Sequence, residues 1–242
     1  MTIVIPQSGA EVVVTPGTLE SVGTPWRQLP FSIWGSASDQ DGVLTGLTTS
    51  GNLYTATLNR ALSRTFLQRG NFRAALLEDL DALQDGHRYQ FRIKLEGSPT
   101  GIAGSVVPYI VLSVGRGTGD TGWPNDGCHG GLRLGASGRR LLCHNNQQID
   151  LVAAEAAQDE DDADLDEVVL TYSWKKSAEL SMWASSLKDG AEQAFKPIAS
   201  AALPSAVDRL VLSVGNMAAG AAGEVVLPFS LWQRQIATLV TA

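Results

Sequence analysis

The residues of this chain that could do chemistry fall in three groups. The first is acidic. Breaking a glycosidic bond by hydrolysis needs two carboxyl groups that flank it. The nearest candidates are Glu78, Asp79 and Asp81, and Asp164, Asp166 and Glu167. The first set sits in a stretch with helical spacing. The second closes the run at residues 155–167, where eight of thirteen residues are Asp or Glu. Charge runs of this kind are ordinarily solvated loops. The second group is the pair of Cys-His dipeptides, Cys128-His129 and Cys143-His144. Neighbouring strand residues face opposite ways, and zinc motifs favour spaced ligand pairs, so a zinc site is not expected. The third is the loop at residues 115–131, GRGTGDTGWPNDGCHGG. It gathers Asp120, Asn125 and Asp126 around Trp123 and is the best functional candidate. Calcium takes oxygen ligands of these types, which makes Asp120 and Asp126 its weak candidates. The loop lacks the last glycine of GxGxxG and a following helix, so it is no nucleotide signal. No GxSxG elbow is present. No catalytic residue is assigned, and the chain is not expected to be an enzyme.

The elements that position these groups are strands. Tyr89, Phe91, Ile93 and Leu95 alternate with Gln90, Arg92 and Lys94, the pattern of a half-buried strand. Val168, Leu170, Tyr172 and Trp174 repeat it, as do Leu210, Leu212 and Val214. Turn signals part the runs: Gly135 to Gly138 between LRL and RRLLC, and Asp189-Gly190 after ELSMWASSLK. One stretch departs from strand grammar. Residues 71–83, NFRAALLEDLDAL, carry Leu76, Leu77, Leu80 and Leu83 at helical spacing, which predicts a short surface helix ending near Gly86. Residues 1–25 are short apolar runs broken by prolines and glycines, and read as an arm with little core of its own.

Composition bounds the rest. The chain has 242 residues, 44% apolar, only 18% charged, with 25 glycines and a net charge of −7. An all-β sandwich of this length is commonly one domain. The negative charge argues against a nucleic-acid partner, which needs a basic face, and against docking on an anionic membrane. The N-terminus has no basic n-region and no long apolar h-region, so it is not read as a signal peptide. Folding in a cytoplasm is the expectation. The two cysteines flank a predicted hairpin. Whether they pair turns on geometry, and the compartment favours two reduced thiols.

VLSVG occurs at residues 111–115 and 211–215, and PFSIW at 30–34 returns as PFSLW at 228–232. The order of the echoes is inverted, whereas tandem repeats keep order and period. They read as shared strand grammar.

The series HRYQFRIKL, YIVLSVG, GGLRLGASGRRLLC, VVLTYSWKK, ELSMWASSLKDG, LVLSVGN and FSLWQRQIA resembles the concanavalin A-like, or laminin-G-type, jelly roll. The last piece is similar to that family's closing strand, carried by Phe229, Leu231, Trp232, Arg234 and Ile236. The resemblance covers roughly residues 85–240, and PFSIW would be the opening strand beside the closing one. It implies an all-β jelly-roll sandwich over residues 26–242, with one short helix and the extended arm at 1–25. Lectins of this family bind sugar in loops, so it implies carbohydrate binding by Trp123, Asp120, Asn125 and Asp126, with calcium as the ion they would hold. Glycosidases of this fold use carboxylates alternating on one strand; no strand here carries them, which leaves a glycoside hydrolase least favoured. Unsecreted domains of this type also look like bacteriophage virion components. The leading expectation is therefore a non-catalytic capsid decoration, tail or baseplate protein, assembled in the host cytoplasm. Its arm and sheet edges would dock on other virion proteins or copies of itself. Glycan binding is the alternative.

Overall fold

Fourteen strands and no helix make up the described part of this computed structural model, which covers residues 25–29, 42–51, 53–63, 72–76, 87–116, 126–136, 138–145, 166–175, 179–188, 191–192, 196–202 and 209–238. In chain order they are β1 (Arg27–Gln28), β2 (Leu44–Ser50), β3 (Leu53–Asn59), β4 (Phe72–Leu76), β5 (His87–Leu95), β6 (Val107–Arg116), β7 (Asp126–Gly135), β8 (Gly138–Asn145), β9 (Glu167–Lys175), β10 (Glu179–Lys188), β11 (Ala191–Glu192), β12 (Lys196–Ala202), β13 (Arg209–Ala218) and β14 (Glu224–Thr238). They form two antiparallel sheets. One has nine strands, β11-β10-β9-β5-β14-β3-β2, with β12 also on β10 and β1 also on β14. The other has five, β4-β13-β6-β7-β8. This is the all-β jelly-roll sandwich that the strand series implies.

Alternation in the sequence decides which residues lie between the sheets. Ile110, Leu112 and Val114 of β6, Leu132 and Leu134 of β7, and Leu210, Leu212 and Val214 of β13 enter the core from the smaller sheet. Phe91, Ile93 and Leu95 of β5, Val168 and Leu170 of β9, and Val225, Leu227, Phe229 and Leu231 of β14 meet them from the larger one. Each such side chain contributes about 1.5–3 kcal/mol on burial. Phe229 stacks on Tyr54 with centroids 5.1 Å apart. The Tyr54 hydroxyl donates to the Leu29 carbonyl at 2.8 Å, tying the N-terminal strand to the core.

The first part of the expected helix is corrected. Phe72–Leu76 is strand β4, paired with β13 from Leu76 opposite Leu210 to Phe72 opposite Val214. The free edge of β13 offers these backbone groups a ladder, and that tertiary pairing outweighs the helical spacing of the leucines. Residues 77–83 lie outside the described residues. The sequence reading also passed over the β2–β3 hairpin. Ser50 faces Leu53 across its turn, and Gly51 takes φ +62°, the left-handed conformation a two-residue hairpin loop demands.

PFSIW lies outside the described residues. The strand found beside β14 is β1, where Arg27 faces Gln233 and Gln28 faces Trp232. The VLSVG echo has a structural counterpart. The two copies are antiparallel neighbours, with Leu112 opposite Leu212, Ser113 opposite Val211 and Val111 opposite Ser213.

Candidate functional site

The second face of the five-stranded sheet is unlike the rest of the chain. Register sets its rows. One runs Gly215, Tyr109, Arg133, Arg140 across β13, β6, β7 and β8. The next runs Arg73, Ser213, Val111, Gly131, Leu142, beginning on β4. A third runs Ala75, Val211, Ser113, His129, His144, and beyond it Arg209 faces Gly115, which faces Gly127. Rows lie about 7 Å apart, two residues along a strand. These positions hold Arg73, Arg133, Arg140, Arg209, His129, His144 and Tyr109, and no Asp or Glu. In a chain of net charge −7, that is a segregation of charge.

Tyr109, Val111, Ser113, His129, Val211 and Ser213 are fully buried, while Arg133 and Gly135, toward the β7–β8 turn, are half-buried. Nδ1 of His129 lies 2.7 Å from Oγ of Ser113. Gly131 sits in the middle row because nothing else fits. A Cβ there would stand 2.0 Å from the Ile110 carbonyl oxygen and 2.7 Å from Cα of Val111.

The carboxylates singled out in the sequence do other work. Asp166 pairs with Arg139 across the gap between the sheets. Glu167 pairs with Arg92. Burial pushes the Glu167 carboxyl above the usual carboxylate range, and Arg92 and Lys94 oppose that only in part. Folded Glu167 thus binds its proton more tightly than the unfolded chain does. Its stabilising contribution is complete below the unfolded value and is lost as pH rises through the folded one. The melting temperature of the wild type, taken relative to Glu167→Gln, should therefore fall as pH rises from the acid side through the carboxylate range. A constant difference would show that Arg92 fully compensates.

Glu167 and Arg92 belong to a polar ladder on the outer face of the larger sheet. Arg234 Nε donates to Gln90 Oε1 at 2.7 Å, and Gln90 Nε2 donates to Thr171 Oγ1 at 3.0 Å. Trp26 lies over Arg234 and Arg92, with centroid distances of 4.4 and 5.4 Å. This corrects the expectation that Gln90 faces water: it is fully buried. The ladder anchors the N-terminal strand through Trp26.

Of the loop residues proposed from sequence, Asp120, Trp123 and Asn125 lie outside the described residues. Asp126 opens β7 opposite Arg116. Cys128 faces Asn145, and Cys143 faces Gly130. That diagonal offset of about 7–8 Å is beyond a disulfide without backbone movement. Glu78, Asp79, Asp81 and Asp164 also lie outside the described residues. No cluster of three or more metal-ligating side chains occurs among the described residues.

No family model and no curated protein matches the sequence. The fold does have solved counterparts. The alginate lyase Aly36B superposes with a TM-score of 0.51 at 11% identity, over 88% of this chain and 98% of that one. Weaker likenesses are to the alginate lyase vAL-1 from Chlorella virus, with a TM-score of 0.42 at 13% identity over 83% and 93% of the two chains, and to the exoplasmic/lumenal domain of VIP36 in its Ca2+/Man2-bound form, with a TM-score of 0.40 at 10% identity over 84% and 83%. At such identities the likeness is one of fold.

It nevertheless corrects one expectation. The chain was expected not to be an enzyme because no strand carries paired carboxylates. A protein with this fold is an alginate lyase, and elimination from a uronate polymer does not require the carboxylate pair of a glycosidase. The argument against catalysis therefore falls.

Proposed function

We propose that this chain recognises an acidic polysaccharide, one built from uronate sugars, on the second face of its five-stranded sheet. The observation that carries the reading is the face itself. Arginines and histidines share its rows without one acidic residue, in an acidic chain. Carboxylates spaced along a polymer meet guanidinium groups in bidentate, charge-assisted hydrogen bonds. Glycines at positions 115, 127, 131, 135 and 215 leave the sheet surface low, as a closely approaching ligand requires. The half-buried end at Arg133 and Gly135 is where a sugar chain first meets the face.

The fold likeness to an alginate lyase supports this reading over the virion role expected from the arm, of which residues 1–24 lie outside the described residues. Glycan recognition through the 115–131 loop remains compatible with it, because that loop joins β6 to β7 at one end of the same face.

Affinity electrophoresis through gels containing sodium alginate, polygalacturonate, neutral dextran or single-stranded DNA tests the proposal. Retardation by a uronate polymer and not by dextran is the expected result. Arg133→Glu should weaken it by about tenfold or more, the worth of one hydrogen bond to a charged group. Equal retardation by dextran, or by DNA, would sink the uronate reading. Ultraviolet absorbance of the same incubations reports unsaturated sugar ends. Their appearance would make the face an active site for elimination.

A further inference from the structure

At one end of the sandwich the apolar rows between the sheets give way to polar residues. Leu210, Leu212 and Val214 of β13 are followed at the same period of two by Asn216, and Tyr54, Ala56 and Leu58 of β3 by Arg60. Asn216 is fully buried. Its Nδ2 donates to the carbonyl oxygens of Asn59 at 2.9 Å and Leu62 at 3.2 Å, so the smaller sheet grips the turn that follows β3. Those two acceptors fix the orientation of the amide, because turning it over would set Oδ1 against two carbonyl oxygens. Oδ1 is left as a buried acceptor without a hydrogen-bond partner among the described residues.

Arg60 belongs to that same turn. Its backbone N–H donates to the Gly223 carbonyl at 2.9 Å, and its carbonyl accepts from Gly220 N–H at 2.7 Å. Nη2 donates to the Ala103 carbonyl at 3.4 Å. Nε is a buried donor without a hydrogen-bond partner among the described residues, and no carboxylate there pairs with this guanidinium. The loops beside it are locked together. Ser105 Oγ donates to the Ala219 carbonyl at 2.6 Å, and a Cβ on Gly220 would stand 2.4 Å from Cγ2 of Val106.

A buried donor on one sheet and a buried acceptor on the other, tied to one turn, specify their ligand chemically. It must accept from Nε–H and donate to Oδ1. A metal ion or an ammonium group cannot accept, and it would meet the charge of the guanidinium. Chloride and carboxylates cannot donate. We propose that Arg60 and Asn216 bind one water molecule, which bridges the two sheets at this end of the core. The site accounts for both residue types. Aspartate at 216 would lose both donors to the turn, and lysine at 60 would lose the N–H that lies part-way along the side chain.

A high-resolution crystal structure of the full chain tests the proposal. One water within about 2.7–3.2 Å of both Arg60 Nε and Asn216 Oδ1 is the expected result. Direct contact of the two atoms, separate waters on each, or a dry site overturns it. Water-to-protein NOESY and ROESY spectra of the 15N-labelled chain make the same test in solution. Cross-peaks from Arg60 Hε and the Asn216 side-chain amide to water should have opposite signs in the two spectra, as a held water gives and proton exchange does not. Arg60→Met keeps the stem and deletes Nε, and should lose the Asn216 cross-peak. A cross-peak that persists in this variant would show that Asn216 holds the water alone, and the bridge would be wrong.

Discussion

Phe229→Ala is expected to lower the free energy of unfolding by about 3–5 kcal/mol. Phe229 is fully buried in the middle of β14, the strand that joins β3, β5 and β1. Truncation removes its stacking on Tyr54 and leaves a cavity where the sheets meet. The neighbours on β14, Leu227 and Leu231, are themselves fully buried, so collapse into the void is limited. Urea unfolding should show a lower midpoint with an unchanged slope. Tyr54→Phe is the companion measurement. It deletes only the hydroxyl that reaches Leu29, and should cost about 1 kcal/mol, a little more if the carbonyl is left unsatisfied. If Phe229→Ala were as mild as Tyr54→Phe, the packing described for the two sheets would be wrong at its centre.

Gly131→Ala is the second large effect, and it bears on fold and site together. The added methyl would overlap the Ile110 carbonyl and the Val111 backbone. Backbone cannot swing away as a side-chain tip can, so β6 and β7 must separate locally. The expected penalty is at the upper end of the roughly 1–3 kcal/mol usual for overpacking, or beyond it. The separation falls one row from the Ser113–His129 contact and one row from the Tyr109–Arg133 pair. Uronate binding should therefore drop further than the stability loss alone accounts for. Amide exchange would show β6 and β7 opening while β5 and β14 keep their protection. Uniform loss of protection would instead mean that the sandwich unfolds as one unit.

Much of the sandwich was legible because its strands obey period two. YQFRIKL, YIVLSVG and RLVLSV could each be assigned a buried face from the residues alone. Glycines at 135 and 138 marked the β7–β8 turn. What misled was β4, where leucines at 76, 77, 80 and 83 satisfy a helix while the partner edge that decides the matter lies on β13, far along the chain. Gln90 shows the same limit at one residue. It alternates as a surface position, yet it is fully buried and hydrogen-bonded to Arg234 and Thr171 from two other strands.

The site was illegible for a related reason. The loop at 115–131 attracted notice because its candidates are adjacent in sequence. The basic face is assembled from Arg73, Tyr109, His129, Arg133, Arg140 and Arg209, which are spread over five strands. Only register brings them into rows. His129 was considered as a zinc ligand with Cys128, and its partner proved to be a serine on the neighbouring strand. The one available signal was a group of strands whose alternate positions hold glycine, arginine and histidine in place of acids.

The pairing of the two VLSVG segments has a consequence outside the native molecule. A sequence that zips antiparallel onto its own copy does not distinguish the copy in the same chain from one in another. During synthesis β6 emerges well before β13, and in that interval its natural partner on a neighbouring ribosome is an equally good match. Leu112 and Leu212 occupy the same slot, so an exchanged pairing would keep the register and bury the same side chains. Misassembled oligomers of this protein should therefore be held together through these two segments.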